Sequence, residues 1–357
     1  MDDKLFDILR LAKEMSASDV HLRPNSPPVM RVGENLVVSS IPSLTSEKID
    51  EITQSIMAPA VLKNFYTKKE ADFSISLPGI SRFRVNCYYQ SGGVSFVFRQ
   101  VPMSVPTSED VQLLPKMLDV LNYDSGLVLV SGATGSGKST TIAAMLDWLN
   151  KNDSRRIITL EDPIEFLYRD KKCDFVQREF GNDFFSFPEA LAAAMREDPD
   201  VILVGEMREI QTIELALTAA ETGHLVFSTV HSASSASAVG RVLSVFPGDL
   251  RQFVQEQLAT VLVCIIAQVL VPTKADKRKQ VAAREVLFNT PAIANLIRTG
   301  KHEQVHNFLK TGRESGMNIL NDSLEKLIKS GLVDVEDAVA KSYDPNELLE
   351  RSISINN

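Results

Sequence analysis

The stretch GATGSGKST, residues 132–140, fits the pattern G-x-x-x-x-G-K-[ST]. It follows an apolar run, GLVLVS, and opens a run with helical spacing, TTIAAMLDWLN. Strand, loop and helix in that order make a phosphate cradle. Gly132, Gly135 and Gly137 let backbone N–H groups wrap phosphate oxygens. Lys138 is placed to reach the β- and γ-phosphates, and the Ser139 hydroxyl to meet Mg²⁺. The helix N-terminus adds partial positive charge. The nucleotide-binding set is Gly132, Thr134, Gly135, Ser136, Gly137, Lys138, Ser139 and Thr140. The alternative is a tight glycine turn that binds nothing, and the flanking strand and helix argue against it. The motif by itself does not give the reaction.

Hydrolysis needs an acid that serves Mg²⁺ and one that orients the attacking water. Two stretches end strands where ligands bind in open α/β sheets. TLEDPIE offers Glu161, Asp162 and Glu165, and LVGEMRE offers Glu206. Pro163 stops the first strand and leaves Glu165 on the rim. Gly205 lets the backbone bend so that Glu206 leans towards the phosphate loop. The aliphatic run Val201–Val204 ends in Gly205-Glu206 where an aspartate is expected. Turn and N-cap chemistry is an equal explanation of Glu161 and Asp162. For Glu206, just past an apolar strand, function is favoured. STVHS ends a third strand and sets His231 on the same rim, as a γ-phosphate sensor or as an ordinary satisfied histidine.

A second feature asks for an anion. RFRVNCYY and VSFVFRQV flank the turn QSGG, a hairpin signal. Closing it pairs Tyr89 with Val94, Cys87 with Phe96, Val85 with Phe98 and Arg84 with Arg99. One face is apolar and the other carries Arg82, Arg84 and Arg99. Like charges opposite one another destabilise a strand pair. Asp72, Glu70 or solvent could offset them, or a triphosphate on a neighbouring subunit could, with the arginines as fingers in trans.

The elements that must position these residues follow from the pattern. At 357 residues the chain is long for one core and suggests two domains. Residues 1–101 read as short strands after an opening helix with Leu5, Ile8, Leu9 and Ala12 on one face. Pro102, Pro106 and Pro115 punctuate a linker over 102–115. From 116 strands and helices alternate, which implies a mainly parallel sheet covered on both faces, an α/β domain running to 357. From about residue 287 the chain turns mostly helical and ends in a polar tail. The run LATVLVCIIAQVLV, interrupted by Thr260 and Gln268, reads as a buried helix entering a strand and falls short of the roughly 20 residues of a membrane span. The basic run KADKRK reads as a solvated loop between strands. A net charge of −8 argues against a nucleic-acid partner, including a DNA-translocase role. Cys87, Cys173 and Cys264 stand far apart, which excludes a cysteine-pair zinc site and points to a reducing cytosol. The acidic start MDDKLFD lacks the basic head of a signal peptide.

The order GATGSGKST, TLEDPIEF, REDPDVILVGEMRE, TAAETGHLVFSTVHS, FP and PAIANLIR resembles the secretion-type hexameric ATPases, and within them the PilT group of type IV pilus retraction motors. The resemblance extends from SASDVHLRPNSPPVMRV near the start to GMNILNDSLEKLIKSGLVDVEDAVAKSYDPNEL near the end. It implies an N-terminal α+β PAS-like domain, a RecA-like P-loop domain, and a homohexameric ring on the cytoplasmic side of the inner membrane. The ring would meet a pilus platform protein there, without inserting into the bilayer, and a second retraction ATPase as a further partner. ATP and Mg²⁺ are implied as cofactors, and pilus retraction and twitching motility as the work done. Glu165 takes the water-activating role and Glu206 serves Mg²⁺ in an atypical Walker B strand. His231 matches the histidine box, Arg84 and Arg99 reach a neighbour's nucleotide, and Arg241 matches a further basic position. The family signature Ala-Ile-Arg-Asn-Leu-Ile-Arg, tied to retraction rather than to ATP turnover, keeps Arg298 here but has Ala294 for the first arginine. Val230 and Ser232 replace Leu and Thr of the histidine box. The rival readings are a pilus assembly or type II secretion ATPase and a nucleotide-binding regulatory subunit of another motor.

Overall fold

A computed structural model describes residues 2–102 and 104–353. Met103 of the expected linker and residues 354–357 of the polar tail lie outside the described residues. The chain divides into two compact units, Met1–Ser104 with Pro163–Leu167, and Val105–Asp162 with Tyr168–Asn357. The short segment Pro163–Leu167, which by sequence belongs with the second domain, groups with the first. It follows the proline that stops the preceding strand and has no regular secondary structure.

The first unit is α+β. Strands β1 (Asp19–Leu22), β2 (Val29–Val32), β3 (Asn35–Val38), β4 (Glu70–Leu77), β5 (Ser81–Gln90) and β6 (Gly93–Gln100) form one antiparallel sheet. Its order is β3-β2-β1-β6-β5-β4. The opening helix, Asp3–Glu14, starts on an Asp2 cap and buries Leu5, Ile8, Leu9 and Ala12 completely. Two further helices, Ser46–Ile56 and Pro59–Lys68, correct the reading of this region as strands after a single helix. Their signals are a Thr45 side-chain cap with Ile49 and Ile52 facing the core, and a proline in the first turn. The β5–β6 hairpin has the register deduced from QSGG, with Tyr89 opposite Val94 and Arg84 opposite Arg99. Phe83, Val85, Cys87, Phe96 and Phe98 on its inner face are fully buried.

The second unit is α/β. Its sheet comprises β7 (Gly126–Ser131), β8 (Arg156–Glu161), β9 (Asp174–Glu179), β10 (Val201–Glu206), β11 (Leu225–Val230), β12 (Leu262–Pro272) and β13 (Gln280–Phe288). The order is β13-β12-β7-β11-β10-β8-β9. Every neighbouring pair is parallel except β12 with β13. Because side chains alternate between faces, each strand feeds two cores. Val128, Val130, Phe227 and Ile266 pack with Ile142, Met145 and Leu149 of the helix Lys138–Asn152. Leu127, Leu129, Ile202 and Val226 pack with Ile213, Leu217, Val242 and Leu258 of helices on the opposite face. Strands buried on both faces explain why β7, β10 and β11 read as unbroken apolar runs. The helix Gly248–Val261 runs directly into β12, and residues 273–279 connect β12 to β13. In that connection Lys274 and Lys277 reach Asp334 at 3.5 and 2.5 Å, so the basic run is a paired surface loop.

Candidate functional site

The C-terminal ends of β7, β8, β10 and β11 lie at one edge of the parallel sheet, and the chain leaves that edge through the loops that carry the candidate residues. After β7, Gly132, Gly135 and Gly137 take φ values of 151°, 78° and 82°, conformations that favour glycine. Space imposes the same demand at Gly132 and Gly137. A Cβ on Gly132 would lie 2.6 Å from the carbonyl oxygen of Gln268, and one on Gly137 would lie 3.2 Å from the Gln268 amide nitrogen. Gly137 is the N-cap of the helix Lys138–Asn152. Lys138 is buried, and its ammonium donates to the carbonyls of Gly132 and Ala133 at 3.0 Å each. Ala133, Thr134 and Gly135 form the exposed crest, Ser136 is buried, and Ser139 and Thr140 are half-buried in the first helical turn.

Glu206 ends β10 at a bulge. Val204 lies opposite Ser228, whereas Glu206 lies opposite Thr229, so Gly205 is the extra residue. The Ser228 and Thr229 hydroxyls hold the bulge by donating to the carbonyls of Val204 and Gly205 at 2.7 and 2.6 Å. Gly205 is needed here for close approach, since a Cβ would lie 3.1 Å from the Leu160 carbonyl oxygen of β8. The bulge turns the Glu206 carboxylate towards Arg208 and His231. Arg208 Nη2 lies 2.6 Å from Oε2, and His231 Nε2 lies 3.5 Å from Oε1. Burial works against the Glu206 charge, but Arg208, with smaller help from His231 and Lys138, outweighs it and holds the carboxyl below its usual range. Glu206, and more weakly Asp162, push the Arg208 guanidinium the other way. The structure thus brings Lys138, Glu206, His231 and Arg208 into one electrostatic group. Arg208 stands inside GEMRE, where the spacing singles out only the acids.

His231 follows β11, and its loop is tied to the root of the phosphate loop. The Ser131 hydroxyl donates to the Ser232 carbonyl at 2.6 Å and lies 2.8 Å from the Ser232 hydroxyl. Glu161 is drawn into the sheet instead, where its Oε1 accepts from Thr159 at 2.6 Å and from Gln177 at 3.3 Å. Asp162 and Glu165 are exposed, Glu165 within the segment that groups with the first unit. Arg241 is exposed in the last turn of the helix Ser235–Ser244 and makes no ion pair among the described residues. In the first unit Arg84 and Arg99 face each other, and Arg99 donates to Asp19 on β1 at 2.8 Å. Asp19, rather than Asp72 or Glu70, is the carboxylate that meets Arg99. Burial disfavours the Asp19 charge, but Arg99 and Ser18 hold its carboxyl below the usual range.

Among the described residues no group of three or more His, Cys, Asp or Glu could hold a metal ion by itself. Ser139 and Glu206 supply two hard oxygen donors. Hard oxygens of this kind are the donor type that a small divalent cation such as Mg²⁺ takes. No helix of the described residues is long and apolar enough to cross a membrane.

Residues 7–351 match the family described as Type II/IV secretion system protein. The chain is 44% identical over 339 residues to the Type IV pilus retractation ATPase PilT of Pseudomonas aeruginosa, covering 95% of this chain and 98% of that one. It is 42% identical over 321 residues to a Twitching motility protein of Neisseria gonorrhoeae, covering 90% of this chain and 86% of that one. Its fold is similar to a crystal structure of the pilus retraction motor PilT with bound ADP, with a TM-score of 0.89 and 41% identity over 97% of this chain and 99% of that chain.

Proposed function

The chain belongs to the Type II/IV secretion system protein family, and from that premise we propose that it is an ATP-hydrolysing motor that drives retraction of a type IV pilus. The observation that carries this reading is the convergence, on one sheet edge, of a complete phosphate loop with Glu206 flanked by Arg208 and His231. It is supported by the near full-length likeness to a retraction ATPase and to a motor that holds ADP.

In this reading the N–H groups of residues 132–140 and the N-terminus of the helix Lys138–Asn152 hold the β- and γ-phosphates. Lys138 turns its ammonium from the carbonyls of Gly132 and Ala133 to phosphate oxygens. Ser139 and Glu206 would hold Mg²⁺, which when bound would neutralise charge on the phosphates. Glu165 orients and deprotonates the attacking water. His231 shares the Glu206 carboxylate and senses the γ-phosphate, so loss of that phosphate changes the hydrogen bonding of the loop tied to Ser131. Arg84 and Arg99 answer a nucleotide on a neighbouring copy in a homohexamer, and Arg241 adds a basic group on the helix beyond the histidine. The domains are 1–101, a PAS-like domain, a linker over 102–115, and 116–357, a RecA-like ATPase domain. The ring works in the cytoplasm against an inner-membrane platform protein, with a second retraction ATPase as a further partner. ATP turnover by the purified chain tests the reading: the wild type hydrolyses ATP, and Lys138→Ala neither binds nor hydrolyses it. Turnover by Lys138→Ala at the wild-type rate would refute the assignment.

A further inference from the structure

Gln268 and Arg284 are direct cross-strand partners on β12 and β13. Both are buried, at 1% and 6% exposure. Each stands two residues from a core position on the same face, Ile266 and Val286, beneath the helix Lys138–Asn152. A guanidinium is seldom buried unless its donors are satisfied. Among the described residues Arg284 has no carboxylate partner. It spreads its fork over three separate elements: Nε donates to Gln268 Oε1 at 3.4 Å, Nη2 to the Thr141 hydroxyl at 3.3 Å, and Nη1 to the Gln112 carbonyl at 3.3 Å. Burial pushes its pKa down to about 10.

The Gln268 amide faces the other way. Its Nε2 donates to the carbonyl of Ser136, inside the phosphate loop, at 2.6 Å, and its Oε1 accepts from Thr141 at 2.8 Å. The Gln268 amide nitrogen is also what a Cβ at Gly137 would crowd, at 3.2 Å. Rotating the amide by half a turn would set its NH₂ against the Nε–H of Arg284, donor against donor. The guanidinium therefore fixes which end of Gln268 meets the loop. The backbone of Arg284 is itself held, by Asn318 Nδ2 donating to its carbonyl at 2.6 Å and by its own N–H donating to Ser323 Oγ at 3.0 Å.

Gln112 lies near the start of the second unit, in the turn that precedes β7, and has a left-handed φ of 53°. That conformation is costly for a residue with a side chain and persists only where the surroundings impose it. The surrounding turn is built: Thr107 and Asp110 exchange two hydrogen bonds at 2.9 and 3.1 Å, and Leu113 N–H donates to Ser108 O at 2.9 Å.

We propose that Arg284 is a positioning residue for the nucleotide site: through Gln268 it sets the phosphate loop, and through Gln112 it ties that loop to the turn over 107–113 at the start of the second unit. This rests on the phosphate-loop reading of residues 132–140. The test uses full-length protein, with a fluorescent ADP for affinity and amide hydrogen exchange across residues 109–115 with and without ADP. In the wild type, ADP binds and slows exchange at Gln112 and Leu113. Arg284→Met binds ADP about tenfold more weakly, the effect of one lost hydrogen bond in the loop. At saturating ADP its turn over 107–113 no longer responds. Arg284→Lys, with one donor head in place of a fork, still blocks the amide rotation and keeps near wild-type affinity but loses the response. Gln268→Met removes the donor to Ser136 while leaving Arg284, and matches the weakened affinity even where Arg284→Met fails to fold. Wild-type affinity in Gln268→Met, or wild-type affinity together with a wild-type response in Arg284→Met, overturns the proposal. Failure of the wild type to bind ADP overturns the phosphate-loop reading beneath it.

Discussion

Replacing Glu206 by glutamine removes one charge and almost no volume, so it separates chemistry from folding. The carboxylate is 2.6 Å from Arg208, but Arg208 is 72% exposed, and solvent screens the pair. Its contribution to stability is then no more than about 1 kcal/mol. The glutamine oxygen still accepts a hydrogen bond from Arg208, so the thermal midpoint should move by less than about 4 °C. At the reacting phosphate the charge matters more. Loss of one preorganised electrostatic group typically costs about 3–4 kcal/mol of barrier, or roughly 10²–10³ in kcat. Nucleotide held by the loop backbone and Lys138 should remain bound, with Kd within about threefold of wild type, since a threefold change is only about 0.7 kcal/mol. Phosphate release gives kcat, a fluorescent nucleotide gives Kd, and a melt gives the midpoint, all on one preparation. A Glu206→Gln protein with wild-type kcat would remove Glu206 from the chemistry. A large fall in the melting point alongside lost turnover would show that the residue holds the fold instead.

Two further outcomes follow from the geometry. Gly205→Ala forces a Cβ to 3.1 Å from the Leu160 carbonyl oxygen and pushes β8 from β10 at the bulge, so it should cost about 1–3 kcal/mol of stability and lower kcat with it; a melt and turnover both unchanged would contradict the close-approach explanation. Glu285, 1% exposed, accepts from the Ser235 N–H at 2.8 Å, and burial raises its pKa above the 4.5 of a free glutamate despite the opposing Ser235 and His306. As pH rises past 4.5 the unfolded carboxyl ionises while the buried one keeps its proton, so this residue's contribution to stability falls until pH reaches the raised folded pKa and is level above it. Glu285→Gln keeps the acceptor and does not titrate. Its stability relative to wild type, read by urea melts, should climb through that window, and a pH-independent difference would refute the point.

Sequence pattern reaches some of these residues and not others for physical reasons. The phosphate loop is legible because glycine conformations, a lysine and a helix start are all local. The Arg84–Arg99 pairing is legible because a two-residue turn fixes hairpin register. Asp19 is not, because it meets Arg99 across 80 residues and nothing local connects them. Gln268 and Arg284 appear in sequence only as polar breaks in LATVLVCIIAQVLV and VAAREVLF. Their meaning lies in an antiparallel register that the long connection over 273–279 leaves unspecified. The reason for Gly205 changes in the same way: sequence suggests a bend, and the structure adds the neighbouring carbonyl that leaves no room for a side chain. Helices Ser46–Ile56 and Pro59–Lys68 are short and stand in a region rich in strand signals, where Thr45 and Pro59 are their main local marks.

The motor reading is tested most directly in cells. The gene is deleted, and surface pili are counted after complementation with wild type or with Lys138→Ala. Retraction driven by this chain predicts excess pili that do not withdraw in the deletion strain, normal numbers with wild type, and no rescue by Lys138→Ala. A deletion strain without pili would show that the chain drives assembly, and rescue by Lys138→Ala would show that its ATP turnover is not what moves the pilus.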